Sequence, residues 1–280
     1  MDSKKCHVIA VTNQKGGVGK TTTSMNLAHA LILKGYRVAV IDLDPHGYLT
    51  QGLGIQFRDL GVCVADLIRD RKAETLVALK KTSSGLDLIG SHPGLAAVAR
   101  EMVSLTNSEL RLKQRVDALR CKYDIIIIDS CPGFGPLLNS ALNAADFLVI
   151  PVDTGFYGFL GFKQLEGEIE EIKLGTNPSL SVLGFVLTMS DRTLVSRETM
   201  DALVGMYRAD VFTTQIRRCV GLRESPALGQ TVFQYAPKSI GAQDYMELCE
   251  EVIIRITGQD LAGHSTLRLV SGLNEGVCHD

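Results

Sequence analysis

Short runs rich in β-branched residues alternate along the chain with longer segments in which apolar residues recur at helical spacing. This alternation is typical of a parallel sheet whose strands are joined by helices that cover both faces. The pattern therefore predicts an α/β fold with a mostly parallel central sheet. The strands that it predicts are His7–Thr12, Arg37–Asp42, Leu86–Gly90, Asp124–Asp129, Phe147–Val152, Val182–Thr188 and Val211–Gln215.

Three helices stand out from the same pattern. The segment Lys20–Lys34 has helical period and is followed by Gly35, a residue type that commonly ends a helix. A second helix carries an apolar face from Phe162 to Ile172 and is acidic on the opposite side, and a third carries an apolar stripe from Tyr245 to Ile256. These amphipathic faces are expected to pack against the sheet.

The composition is that of a water-soluble globular protein and excludes several classes. Of the 280 residues 45% are apolar, and 29 basic against 31 acidic residues give a net charge of -2, which argues against a broadly polybasic nucleic-acid binder. The seven cysteines are scattered without a C-x-x-C pair, so neither a disulfide framework nor a structural zinc site is expected. The start of the chain lacks the apolar core of a signal peptide, and we expect a cytoplasmic protein.

A glycine-rich segment connects the first predicted strand to the helix that begins at Lys20. Strand, glycine-rich turn and helix form the context of a phosphate-binding P-loop, in which successive N–H groups and the helix N-terminus face the phosphate oxygens. Lys20 would meet the β- and γ-phosphates of a nucleotide, and the Thr21 hydroxyl would ligate Mg²⁺. The expected nucleotide-binding residues are Lys15, Gly16, Gly17, Val18, Gly19, Lys20, Thr21 and Thr22.

Carboxylates follow two of the predicted strands. The run Ile125–Ile128 is apolar without alternation, which predicts a central strand buried on both faces, and Asp129 ends it as in a Walker B motif. A charge at the end of such a strand needs a cation, and Mg²⁺ held through water is the expected one. Asp42 and Asp44 end the second strand at the same edge of the sheet, where a carboxylate can orient a water for attack on the γ-phosphorus.

The phosphate loop departs from the strict P-loop pattern, because Gln14 stands where the first glycine is required. From Lys15 onward it reads K-G-G-V-G-K-T-T, which resembles the deviant Walker A motif of the ParA/MinD family of ATPases. The likeness runs in family order from Val8 to about Ile256 and is greatest to the small, Soj-like ParA partition ATPases. Further matching segments are Val40-Ile41-Asp42-Leu43-Asp44-Pro45, Ile128-Asp129, Val149-Ile150-Pro151-Val152 and Leu222-Arg223-Glu224-Ser225-Pro226.

The resemblance implies a role for each site residue. Lys15 would reach the phosphates of a partner subunit, so that ATP is held between two protomers of a homodimer. Asp44 would activate the attacking water, and Asp42 would support the water shell of Mg²⁺. The implied catalytic residues are therefore Asp44, Lys15 and Lys20, and the implied metal site comprises Thr21, Asp42 and Asp129.

A second surface is basic, since positions 192–223 contain six arginines and three acidic residues. Arginine clusters suit phosphate backbones and would give salt-sensitive, sequence-independent DNA binding. The resemblance points to the same region. The alternative is ordinary helix-surface charge with pairs such as Arg197 and Asp201. The candidate DNA-binding residues are Arg192, Arg217, Arg218 and Arg223.

Two segments depart from the pattern common in relatives. Where they read I-P-R-N-V-R-L, positions 216–222 read I-R-R-C-V-G-L, so the basic patch is expected to be rearranged and the adenine pocket is not defined by the sequence. After Asp44-Pro45 the common Gln-Gly-Asn is His46-Gly47-Tyr48. For His46 we expect a polar loop role rather than catalysis.

We therefore expect a Mg²⁺-dependent ATPase domain over residues 1–257, with a flexible tail over 258–280. It would act as an ATP-gated dimerisation switch on non-specific DNA of the nucleoid and would drive plasmid or chromosome partitioning with a ParB-like stimulating partner. One alternative is a ParA-like ATPase that positions another cargo. Another is a MinD-like membrane-associated ATPase, which is not favoured because positions 267–275 contain a glycine and one basic residue.

Overall fold

The computed structural model describes residues 5–155 and 160–262, and this part of the chain contains one eight-stranded sheet. Its strands are β1 (His7–Val11), β2 (Val38–Leu43), β3 (Leu79–Lys81), β4 (Asp87–Ile89), β5 (Ile125–Ser130), β6 (Phe147–Asp153), β7 (Ser181–Ser190) and β8 (Ile216–Arg217). They lie in the order β3-β4-β2-β5-β1-β6-β7-β8, and every neighbouring pair is parallel except β3 with β4. The predicted α/β fold is confirmed.

Helices cover both faces of this sheet. They are α1 (Lys20–Leu33), α2 (Tyr48–Gly52), α3 (Val64–Arg69), α4 (Leu95–Met102), α5 (Arg111–Asp117), α6 (Pro136–Ala144), α7 (Leu160–Gly175), α8 (Leu194–Tyr207), α9 (Val220–Glu224), α10 (Val232–Tyr235) and α11 (Ile240–Ala262). Helices α1 and α11 pack on one face, and α3 to α8 pack on the other. Helix α1 ends at Leu33 and is followed by Lys34 and then Gly35, whose φ of +87° is in the left-handed region that glycine favours, as predicted for a residue that ends this helix.

The strand β5 lies at the centre of the sheet, between β2 and β1. Ile126 and Ile128 point into the core on one face, and Ile125 and Ile127 point into the core on the other. All four are buried, and each such side chain contributes about 1.5–3 kcal/mol to stability on burial. The central, doubly buried strand predicted from this run is confirmed.

The predicted strand Val211–Gln215 is wrong. Among the described residues of that segment, Val211 alone makes a bridge to β7, and the strand β8 begins only after the segment ends. The cause is α11: the carboxylate of Glu251 accepts hydrogen bonds from the N–H groups of Thr213 (2.9 Å) and Thr214 (2.6 Å). These N–H groups are therefore not available to a neighbouring strand.

Two further differences concern the ends of the sheet and of the chain. The short antiparallel strand β3 at the sheet edge was not predicted, because Leu79–Lys81 carries too little apolar pattern to be recognised. Helix α11 continues to Ala262, and the rest of the predicted tail, 263–280, lies outside the described residues. Among the helices described, none has the length and apolarity needed to cross a membrane.

Candidate active site

The glycine-rich loop lies at the carboxyl edge of the sheet, between β1 and α1. Gly17 (φ +78°) and Gly19 (φ +89°) are in the left-handed region, which explains the need for glycine at both positions. No atom lies within 4 Å of where a Cβ would stand at Gly16 or Gly17, so this stretch of backbone is open to a ligand. Behind the loop, the Thr188 hydroxyl of β7 donates a hydrogen bond to the Val18 carbonyl (2.8 Å) and holds the loop in place.

Lys20 is the first residue of α1 and is buried. Its Nζ donates a hydrogen bond to the Lys15 carbonyl (2.8 Å), so the side chain lies along the loop that precedes it. Burial lowers the pKa of Lys20, and the neighbouring carboxylates of Asp129 and Asp44 oppose this shift. An ammonium group has three donors, and donors remain for phosphate oxygens beside this loop.

Asp129 is fully buried at the end of β5 and is held by two hydroxyl groups of α1. Its carboxylate accepts hydrogen bonds from Thr21 Oγ1 (2.8 Å) and Ser24 Oγ (2.8 Å). Burial raises the pKa of Asp129 well above its usual range, and the nearby Asp42 adds to the effect. Ser24 was missed by the sequence analysis, although its spacing of three residues from Thr21 puts both hydroxyls on one helix face.

Asp42 is the register partner of Asp129 on the neighbouring strand β2 and is also fully buried. It accepts hydrogen bonds from the N–H (2.8 Å) and the hydroxyl (2.7 Å) of Thr50 in α2, and from the Asp44 N–H (3.1 Å). Burial raises the pKa of this carboxyl, while the hydrogen bonds from Thr50 favour its ionised form. Thr50 is a second site residue that the sequence did not indicate.

Asp44 follows β2 and is nearly buried. Its Oδ1 accepts hydrogen bonds from the backbone N–H and from the Nδ1 of His46, both at 2.8 Å. The expected polar loop role of His46 thus takes a specific form, since its ring binds the carboxylate that was predicted to activate water.

The charge balance of this site suits a divalent cation beside a nucleotide. Asp129 and Asp44 act on the ammonium group of Lys20, and Asp42 lies beside Asp129. Within 5–155 and 160–262 no cluster of three or more His, Cys, Asp or Glu side chains is arranged to hold a metal ion alone. A Mg²⁺ ion at this site would therefore take the Thr21 hydroxyl and phosphate oxygens as ligands, with the carboxylates acting through water. The residues present fit ATP and Mg²⁺.

Lys15 lies at the start of the loop and forms an ion pair within its own chain. Its Nζ is 2.8 and 2.7 Å from the two carboxylate oxygens of Asp153 at the end of β6, and the two side chains are 35% and 21% exposed. A Cβ on Gly155 would stand 3.4 Å from this ammonium group. The sequence analysis did not identify Asp153, because its pairing depends on β6 lying beside β1.

A cleft with a volume of about 510 Å³ opens beside the loop and could hold the nucleoside part of a nucleotide. Arg217 forms part of its wall and is tied to the buried Asp244 of α11, which binds both its backbone N–H (2.8 Å) and its guanidinium group. Tyr245 of α11 also lines the cleft, and its hydroxyl lies 3.1 Å from the Thr23 hydroxyl of α1. The lining residues include Gly17, Gly19, Thr22, Thr188, Met189, Cys219, Val220, Leu222 and Tyr245.

The four candidate DNA-binding arginines have different surroundings. Arg192 and Arg223 are exposed. Arg218 is exposed with its Nε 3.6 Å from Asp191, whereas Arg217 is engaged by Asp244 as described. Arg217, Arg218 and Arg223 all border the 510 Å³ cleft, so this part of the basic segment lies beside the candidate nucleotide site. DNA contact by any of the four stays a prediction.

Comparisons with known proteins agree with this geometry. A family model described as an AAA domain matches residues 6–182. The sporulation initiation inhibitor protein Soj of Bacillus subtilis is 40% identical over 247 residues, which are 88% of this chain and 97% of that protein. The chromosome-partitioning ATPase Soj of Thermus thermophilus is 39% identical over 254 residues, which are 90% of this chain and 97% of that protein.

Solved structures give the same result for the fold. A crystal structure described as cobyrinic acid a,c-diamide synthase from Mycobacterium smegmatis with bound ATP analog and magnesium matches with a TM-score of 0.79. It is 31% identical, and the match covers 90% of this chain and 96% of that one. The similarity therefore extends over nearly the whole length of both chains.

Proposed function

Because the chain belongs to the ParA/MinD family of P-loop ATPases, with Soj-like relatives, we propose that it is an ATP-gated dimerisation switch. In its ATP-bound homodimer it binds non-specific DNA and drives plasmid or chromosome partitioning on the nucleoid. Hydrolysis is slow and is stimulated by a ParB-like partner. ATP and Mg²⁺ are its cofactors, in agreement with the ligands named for the structural relative. The observation that carries the proposal is the presence of two lysines, Lys15 and Lys20, on one phosphate loop.

Each residue at the carboxyl edge of the sheet has its own role in hydrolysis. Bound Mg²⁺ supplies positive charge at the β- and γ-phosphates. Lys20 and the open backbone of the loop bind the phosphate oxygens, and Asp129 orients the Thr21 hydroxyl toward the metal site. Asp44 accepts a hydrogen bond from the attacking water. The carboxylate of Asp42 accepts a hydrogen bond from the backbone N–H of Asp44 and so fixes the turn in which Asp44 lies. Positioning and charge are the main requirements of phosphoryl transfer.

Lys15 couples the bound nucleotide to dimerisation. In the single protomer its ammonium group is paired with Asp153, so it is not directed at a second subunit. In the proposed dimer Lys15 leaves Asp153 and binds the phosphates of the nucleotide in the partner. Loss of the γ-phosphate then weakens the attraction across the interface, and the pair with Asp153 forms again.

The basic segment supplies the DNA surface. Arg192 and Arg223 are exposed, and Arg223 lies at the rim of the nucleotide cleft. A chain with a net charge of -2 holds DNA weakly through one such patch. Two patches joined in an ATP dimer bind more tightly because the second contact is intramolecular.

DNA binding as a function of nucleotide and salt tests this function. The full chain is titrated into labelled duplex of random sequence with ATP, with ADP and without nucleotide, at about 50 to 200 mM salt. We expect binding with ATP alone, and the affinity should fall steeply as salt rises. Lys15→Gln should retain ATP binding but lose dimerisation and DNA binding, whereas Lys72→Gln, which removes an exposed charge elsewhere, should retain all three.

Two results would contradict the proposal. Binding that is equal in all nucleotide states would exclude an ATP-gated switch. Nucleotide-dependent sedimentation with anionic liposomes, without any DNA binding, would instead favour a membrane-associated ATPase.

A further inference from the structure

The turn that follows β2 is closely packed and places His46 beside Asp44. The Gly47 N–H donates a hydrogen bond to the Asp44 carbonyl (2.9 Å), and Gly47 has a φ of +64°. A Cβ at Gly47 would stand 2.5 Å from the ring of Phe57 and 2.9 Å from the Ser91 carbonyl oxygen, so a larger residue does not fit. The turn is thus built around a glycine that cannot be replaced without displacing its neighbours.

Within this turn His46 contacts Asp44 twice. The backbone N–H and the ring Nδ1 of His46 both lie 2.8 Å from the same oxygen, Oδ1. An ionised carboxylate only accepts hydrogen bonds, so Nδ1 carries the proton in this contact. Among the hydrogen bonds of the described residues, none reaches the other oxygen of Asp44, Oδ2.

The ring of His46 is also supported from the side. It stacks on Tyr48, with ring centroids 5.3 Å apart and planes 8° from parallel, although His46 is 63% exposed. An exposed side chain would otherwise sample several rotamers, and the stacking restricts it to the one that reaches Asp44.

We propose that His46 is a positioning residue for hydrolysis, which fixes Oδ1 of Asp44 through its Nδ1–H and so presents Oδ2 to the attacking water. The inference rests on the proposed function of Asp44. It extends that function because His46, for which the sequence predicted only a polar role in the loop, would orient the carboxylate of Asp44. Correct orientation matters because displacement of a reacting group by about 1 Å costs up to about 100-fold in rate.

Substitutions at His46 test the role of the Nδ1–H group. Asparagine places an amide N–H close to the position of Nδ1, glutamine places it further out, and alanine removes the donor. With one backbone donor remaining, we expect His46→Ala to lower kcat about tenfold with little change in KM or in ATP affinity. We expect His46→Asn to remain within about twofold of wild type and to be faster than His46→Gln. Tyr48→Ala keeps both donors and should lose less than His46→Ala.

The full chain is assayed for steady-state ATP hydrolysis and for ATP binding, with Asp44→Asn as the reference. Wild-type kcat in His46→Ala would overturn the inference, and so would equal losses in the alanine, asparagine and glutamine variants, which would indicate that the imidazole itself reacts. A rise in KM at constant kcat would also overturn it. If Asp44→Asn hydrolyses ATP at the wild-type rate, the proposed function of Asp44 fails instead, whatever the result at His46.

Discussion

At the scale of single residues, the sequence predicted which side chains carry charge but not which hydrogen bonds hold them. Lys20, Asp42, Asp44 and Asp129 lie together at one edge of the sheet, as expected from their places at strand and helix ends. The groups that hold the carboxylates, such as Ser24 and Thr50, and the acceptor of Lys15 come from other elements. Their positions depend on how those elements pack, and a residue pattern along one element does not contain that information.

The ion pair between Lys15 and Asp153 gives a prediction for dimerisation. Asp153→Asn removes the charge that holds Lys15 within its own chain. A partly exposed pair is worth about 0.2–1 kcal/mol, and a dimer breaks two of them, so the Kd of the ATP dimer should fall roughly two- to thirtyfold. Analytical ultracentrifugation with ATP measures this. Asp59→Asn, an equal change of charge at an exposed position, is the control, and an unchanged or weaker dimer in Asp153→Asn contradicts the role of the pair.

His29 gives a prediction for the pH dependence of stability. It is buried in α1, its Nδ1 contacts the Thr231 hydroxyl, and burial lowers the pKa of its ring below the ordinary 6.5. Below about pH 6.5 the unfolded chain therefore binds more protons than the folded one, so stability falls as pH falls and levels off below the folded pKa.

Urea unfolding at about pH 7.5 and about pH 5.5 checks this for wild type and for His29→Gln. The wild-type protein should lose more stability between the two pH values than the variant, which has no group titrating at this place. Equal losses in both proteins would show that His29 does not contribute.

At the scale of elements, the sequence predicted long helices and strands with a clear apolar pattern. It did not predict segments whose structure depends on hydrogen bonds from residues far along the chain. The helix from Lys20, the buried strand β5 and the apolar stripe of α11 follow from their own sequences. The strand predicted at Val211–Gln215 fails because Glu251, far along the chain, binds its N–H groups. The same helix binds Arg217 through Asp244, so α11 shapes one wall of the 510 Å³ cleft, which the local sequence could not define.

Helix α3 depends in a similar way on α5. The guanidinium group of Arg115 donates hydrogen bonds to three carbonyl groups at and after the end of α3, those of Leu67 (3.1 Å), Asp70 (2.7 Å) and Ala73 (2.8 Å). Carbonyls at a helix end have no partner within the helix, so Arg115 supplies what the helix lacks. Arg115→Ala should therefore lower the free energy of unfolding by about 2–3 kcal/mol.

Chemical denaturation compares this variant with Arg58→Ala, which removes an exposed guanidinium group and should change stability by less than about 0.5 kcal/mol. A similarly small change in Arg115→Ala would mean that water replaces the arginine without loss.

At the scale of the whole molecule, the net charge is small, so the salt dependence of DNA binding reports on the phosphate contacts that the basic segment makes. Each phosphate contact contributes about 0.9 to the slope of log K against log salt, so Arg223→Ala should reduce the slope of the ATP dimer by about 1.8. Lys72→Ala serves as the matched control, because it removes an exposed charge outside positions 192–223. An unchanged slope in Arg223→Ala would place the DNA contact elsewhere.

In the proposed switch the ammonium group of Lys15 has two alternative partners, Asp153 of its own chain and the nucleotide phosphates of a second protomer. The contact with Asp153 is intramolecular, so its strength does not vary with the amount of protein. The contact with a second protomer does vary, since it forms only on encounter. In the proposed switch this competition defines a threshold of local density, below which ATP-loaded protomers stay separate. ATP-loaded protomers at high local concentration would cross that threshold while dilute protomers would not, so the pair between Lys15 and Asp153 would make DNA binding depend on the local concentration of the protein.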